Sequence, residues 1–119
     1  MESQPVMDLA AALDRFDCDQ DIFLTLAGLF VERSAQSVGA LQSALSAQDL
    51  PVLVKEAHKL KGSAMEFCAR PAVAAAAQLE ESARKAAVQD LPALAEQAGA
   101  EVERLTAALA EIMEKGFPS

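Results

Sequence analysis

The chain has 119 residues, of which 52% are hydrophobic and only 4% aromatic, and it carries a formal charge of −8. One core can form at this length without a metal or a disulfide. The acidic balance excludes nucleic acid as the main ligand and argues against docking onto anionic membranes, since both need a basic face. Alanine and leucine dominate, which favours helices that pack closely.

The N-terminus, Met1-Glu2-Ser3-Gln4-Pro5, lacks the basic start and apolar run of a secretion signal, so a cytoplasmic protein is expected. No apolar stretch approaches the roughly 18 uncharged residues of a membrane span. Cys18 and Cys68 have no Cys-x-x-Cys spacing and read as two buried or half-buried free thiols.

A short amphipathic segment runs from about Pro5 to Asp14, with Val6, Leu9, Ala10 and Leu13 on one face. The polar turn Asp17-Cys18-Asp19-Gln20 supplies capping side chains for the next helix. A long helical pattern then extends from Asp21 to about Ala47. Its apolar positions Ile22, Leu26, Leu29, Phe30, Val38, Leu41 and Leu45 shift phase near Ser37-Val38-Gly39, which predicts a kink there or two helices in tandem.

Asp49-Leu50-Pro51 opens a further helix, with Asp49 as N-cap and Pro51 in the tolerated first turn. Arg70-Pro71 closes it and starts the next helix, Ala72 to about Ala87. Asp90-Leu91-Pro92 repeats the start signal. In the last helix Leu91, Leu94, Ala98, Val102, Leu105, Leu109 and Ile112 keep helical spacing. The pattern predicts an all-α fold of one domain over residues 1–119. It is an antiparallel up-down four-helix bundle, from about 19 to 114, with a short extra N-terminal helix. Ala72 to Ala77 could pack against a second copy, but the helix faces can be buried within one chain, so a monomer is expected.

His58 is the one histidine. On its helix Leu50, Leu53, Ala57, Leu60, Ala64 and Phe67 form a buried stripe, and His58 sits about 120° from the centre of that stripe. Val54 and Lys55 lie one turn before it, Lys61 and Gly62 one turn after, and Met65 near the same line two turns on. Lys55, Lys59 and Lys61 crowd this helix in an otherwise acidic chain. Their charge favours a neutral, nucleophilic imidazole and would stabilise an attached phosphoryl group. Gly62 within an exposed helix costs about 1 kcal/mol relative to alanine, which makes sense if a partner must approach the imidazole closely.

The run Ala57-His58-Lys59-Leu60-Lys61-Gly62-Ser63 resembles the signature of histidine phosphotransfer (HPt) domains, Ala-His-x-Leu-Lys-Gly-(Ser/Ala) on the second helix of a four-helix bundle. The likeness covers nearly the whole chain. Leu13 to Asp19 looks like the family's lead-in to its first long helix, and Ala77-Gln78-Leu79-Glu80 like its downstream helix.

The resemblance implies that His58 is the phosphorylated residue, that Lys61 supports the phosphoryl group and that Gly62 leaves room for the partner's active site. Val54, Lys55 and Met65 would join the docking patch. Cys68 stands where the family often has a helix-ending glycine, so the helix is expected to run on to Arg70, without effect on phosphotransfer.

The implied function is a phosphorelay carrier. It would accept a phosphoryl group from a receiver-domain aspartate or a partner kinase and pass it to another receiver aspartate. Its partners would be response-regulator receiver domains and a hybrid or sensor histidine kinase. No cofactor is expected: the chain lacks a nucleotide-binding glycine loop and a cluster of carboxylates around His58, so the receiver must supply Mg²⁺. The alternative is a non-catalytic helical adaptor. A metal or haem bundle finds poor support in one histidine and two scattered cysteines.

Overall fold

Aspartates and prolines punctuate the chain where the sequence says helices should start. The computed structural model describes residues 5–118. Residues 1–4, which carry the reading on secretion, and Ser119 lie outside the described residues. Five helices follow in order: α1 (Leu9–Arg15), α2 (Gln20–Ser46), α3 (Leu50–Glu66), α4 (Arg70–Arg84) and α5 (Leu91–Lys115). No strand occurs among the described residues.

The Asp8, Asp19 and Asp49 carboxylates accept from the first free amides of α1, α2 and α3. Pro51, Pro71 and Pro92 sit in the first turns of α3, α4 and α5. Asp90 departs from this pattern. Its backbone is already helical (φ −90°, ψ −16°) and its side chain makes no capping bond.

The long helices pack in a ring: α2 against α3 and α5, and α4 against α3 and α5. Consecutive helices meet across short connections, as in a four-helix bundle. The core falls into two clusters, one with Leu41, Leu53 and Leu79 and the other with Phe23, Phe67, Leu105 and Leu109, and partly buried Phe30 packs against both. Phe23 is fully buried and meets Phe16, Phe67 and Phe117 edge-on at 5.4–6.2 Å. α1 joins that second cluster through buried Ala12, and the Asp8 amide donates to the Cys68 carbonyl at 3.0 Å.

Three expectations need correction. α2 is one uninterrupted helix, not two in tandem. Its inward stripe runs through Phe23, Ala27, Phe30, Ser34, Val38, Leu41 and Leu45, without a phase break. Small Ala27 and polar Ser34, whose hydroxyl donates to the Val31 carbonyl, hide that stripe, while Ile22 and Leu29 mimic another from exposed positions.

α3 stops at Glu66 and does not reach Arg70. Cys68 itself takes the left-handed backbone (φ 50°) that a glycine would favour, and the Ala69 amide closes back onto the Ala64 carbonyl. The same ending recurs at Gln48 (φ 55°) and Ala86 (φ 55°). Burial of Phe67 and Ala69 on either side holds the chain in this turn despite the Cβ.

Finally, Cys18 is exposed, not buried, while Cys68 is half-buried; both are free. Ala72, Ala75 and Ala76 fill the bundle's own core, leaving only Ala74 exposed within the stretch offered for a second copy.

Candidate functional site

α3 and α4 meet through alanines: Ala57 and Ala64 on α3, Ala72, Ala75 and Ala76 on α4, all buried. Small side chains let the two helices approach closely. One consequence is that a carboxylate on α4 reaches across to α3. Glu80 lies on the inward side of α4, beside Leu79 and one turn from Ala76 and Ala83, and is the one buried charged residue among those described. An unpartnered buried carboxylate would be strongly disfavoured, so its partners define the site.

Glu80 has three. Lys61 Nζ donates to Oε1 at 2.8 Å, and Arg84 Nη2, one turn further along α4, donates to Oε2 at 2.7 Å. His58 Nδ1 lies 2.8 Å from the same Oε2. The Lys61 hydrogen bond holds the Glu80 carboxyl below its ordinary value near 4.5 against the opposing effect of burial. The His58 contact and the attraction of Lys61 and Arg84 add to this. An ionised carboxylate only accepts, so His58 Nδ1 carries the proton. In the neutral ring this tautomer places the lone pair on Nε2. That nitrogen makes no hydrogen bond among the described residues, and the side chain is 62% exposed. The arrangement is an imidazole held by one edge, at Nδ1, and open at the other, at Nε2.

The sequence-predicted residues are only partly gathered here. His58 and Lys61 share Glu80. Gly62 is exposed, and a Cβ at this position would meet nothing within 4 Å, so the space above it is open. Lys55 is exposed and makes no ion pair among the described residues. Val54 is half-buried against the core. Met65 is 48% exposed and borders a shallow recess of about 320 Å³ with Ala11, Cys68, Val73 and Ala74.

Lys59 turns to the other side of α3, where it pairs with Glu56 at 3.7 Å. It also lines a groove of about 440 Å³ between α2 and α3. The lysines therefore do not surround the ring as three free cations, which corrects the expectation drawn from their spacing. Glu80 and Arg84 are the residues that expectation missed. The signal for Glu80 was its place on the alanine-leucine stripe of α4, one turn after Ala76.

Among the described residues, no group of three or more His, Cys, Asp or Glu could hold a metal ion. No helix among them is long and apolar enough to cross a membrane.

Comparison with known proteins identifies the frame that carries this cluster. Residues 25–114 match the family model of the Hpt domain. The chain belongs to the Hpt domain family. Members of this family are phosphotransfer carriers in two-component signalling, and that coarse role extends to this chain. The structure is similar to that of histidine-containing phosphotransfer protein B (HptB) from Pseudomonas aeruginosa PAO1. The TM-score is 0.86 at 28% identity, over 95% of this chain and 98% of that one. It also resembles the HPT domain of a sensor hybrid histidine kinase from Shewanella, with a TM-score of 0.79 at 18% identity, over 92% and 95% of the two chains. At that identity the second likeness speaks to the Hpt fold alone. A search of curated proteins finds no significant match.

Proposed function

We propose that this protein is a phosphorelay carrier. His58 accepts a phosphoryl group from a receiver-domain aspartate, or from a partner kinase, and passes it to another receiver aspartate. The observation that carries the reading is the exposed His58 ring with Nδ1 held by buried Glu80 and Nε2 open to a partner. Transfer of this kind is mostly positioning and charge stabilisation.

In the acceptor step Nε2 attacks phosphorus in line, the Nε2–P bond forms, and the P–O bond to the aspartyl carboxylate breaks. From the neutral ring with its proton on Nδ1, no proton has to leave for this step. Lys61, held by Glu80 at 2.8 Å one turn from His58, supports the incoming phosphoryl group, and Gly62 leaves space for the partner's loops. Val54, Lys55 and Met65 contribute to the docking face, and the receiver brings Mg²⁺. The protein works as a cytoplasmic monomer and binds no cofactor of its own.

The test is incubation with a ³²P-phosphorylated receiver domain from the same genome. Acid-labile, alkali-stable label is expected on the wild type and none on His58→Gln, with circular dichroism unchanged. A folded wild type that binds receivers but takes no label would leave a non-catalytic helical adaptor as the reading.

A further inference from the structure

The contact between His58 and Glu80 has a second consequence, at the moment the phosphoryl group departs. Once Nε2 carries phosphorus and Nδ1 keeps its proton, the ring is a cationic phosphoimidazolium. In that form Nε2 is a good leaving group: the N–P bond breaks, its electron pair returns to Nε2, and the ring is again neutral with Nδ1–H in place. If Nδ1 first loses its proton, the ring becomes a neutral phosphoimidazole, and departure would have to expel an imidazolate. That is a far poorer leaving group. The donor is therefore competent only while Nδ1 stays protonated.

We propose that Glu80 keeps phosphorylated His58 a competent phosphoryl donor by holding the Nδ1 proton, making it the positioning residue that sets how readily the group leaves. This rests on the carrier reading above. Among the described residues, the charged groups that meet the Glu80 carboxylate are His58 and Lys61 from α3 and Arg84 from α4 itself. Oε1 is taken by Lys61, while Oε2 is divided between His58 Nδ1 and Arg84. The two cations oppose a positive ring, the carboxylate favours it, and the carboxylate is the group in direct contact with Nδ1. Arg84 competes for the same oxygen from an exposed position (61%), so it tempers the effect of Glu80. A carboxylate at this distance stabilises the cationic partner over about 1–3 pH units, so its loss is large enough to read out.

The test uses the intact protein phosphorylated at His58 with phosphoramidate, a small donor that needs no partner. The Nδ1 titration of the phosphorylated ring is followed by ¹⁵N NMR. Transfer to one receiver is measured in parallel as the variant-to-wild-type ratio at each pH, which cancels the receiver's own titration.

Glu80→Gln keeps the side chain's shape and an accepting oxygen but loses the charge. Its Nδ1 midpoint is expected to fall by about 1–2 pH units. Its transfer is expected to match wild type below both midpoints. Above them it should fall about tenfold for each pH unit that separates the two midpoints. Arg84→Gln is expected to move the midpoint upward, and it carries the test by itself if Glu80→Gln does not fold. Equal midpoints in wild type and Glu80→Gln would overturn the proposal, as would an unchanged or lowered midpoint in Arg84→Gln. Neither result touches the carrier reading, which falls only if a phosphorylated receiver leaves His58 unlabelled.

Discussion

The two flanks of α3 carry the same residue types and do different work. Toward α4, Lys61 reaches a buried carboxylate at 2.8 Å, and that carboxylate also orients His58. Toward α2, only two residues away, Lys59 makes a loose 3.7 Å pair with Glu56 beside an open groove. A lysine's importance here follows from what lies across the helix interface, and the alanines shared by α3 and α4 decide that. Where the helices approach closely, a charge on one can reach the other. Where they leave a groove, the same charge serves only solvation.

The contrast can be broken most directly by removing each lysine in turn. Lys61→Ala is expected to slow phosphotransfer about 10²-fold, the usual loss for one preorganised positive or donor group at a developing anion. Lys59→Ala is expected to stay within about twofold, as an exposed pair contributes little. Equal losses in a labelled-transfer assay would mean that both flanks meet the partner's phosphoryl site.

Side-chain bulk offers a second comparison. Gly62 faces open space near His58, whereas Ser63 lines the groove on the α2 flank. Gly62→Leu is expected to slow transfer about tenfold or more by keeping the partner's loop from a near-attack distance. Ser63→Leu should leave the rate unchanged.

The flanks should also differ in acid. Glu80 is held below its ordinary value near 4.5, so its contribution to stability is present above that value. It is lost as pH falls through the lower, folded-state value. Urea denaturation near neutrality should find Glu80→Gln less stable than wild type by about 2 kcal/mol, with the gap closing in acid. Glu56→Gln should show no such closing gap. The smallest effect concerns the glycine itself. Gly62→Ala should raise stability by about 1 kcal/mol, because the new methyl meets nothing and the helix gains propensity. A loss there would show that the backbone at 62 needs glycine for another reason.

Much of this was legible in the sequence alone. Asp49 and Pro51 announce the start of α3, and the stripe Leu53-Ala57-Leu60-Ala64 fixes which way His58 points. Glu80 was harder to see. A glutamate in an alanine-rich helix normally belongs to a solvated face, and only its phase relative to Ala76 and Leu79 says otherwise. Which partner it would find depends on how α3 lies against α4, a tertiary fact that no local pattern contains. α2 misled because large residues such as Ile22 and Leu29 are exposed while small Ala27 is buried. Cys68 misled because the bonding of the turn, not the identity of its residue, dictates the left-handed backbone there.

His58, Lys61, Glu80 and Arg84 all lie on two consecutive helices joined by a tight turn. Contacts between sequence neighbours close small loops, so this hairpin can form early, at low entropic cost, before the ends of the chain find each other. The site therefore behaves as a cassette. α2 and α5 answer to it only through packing, so their outward faces can change while the chemistry on the hairpin stays as it is.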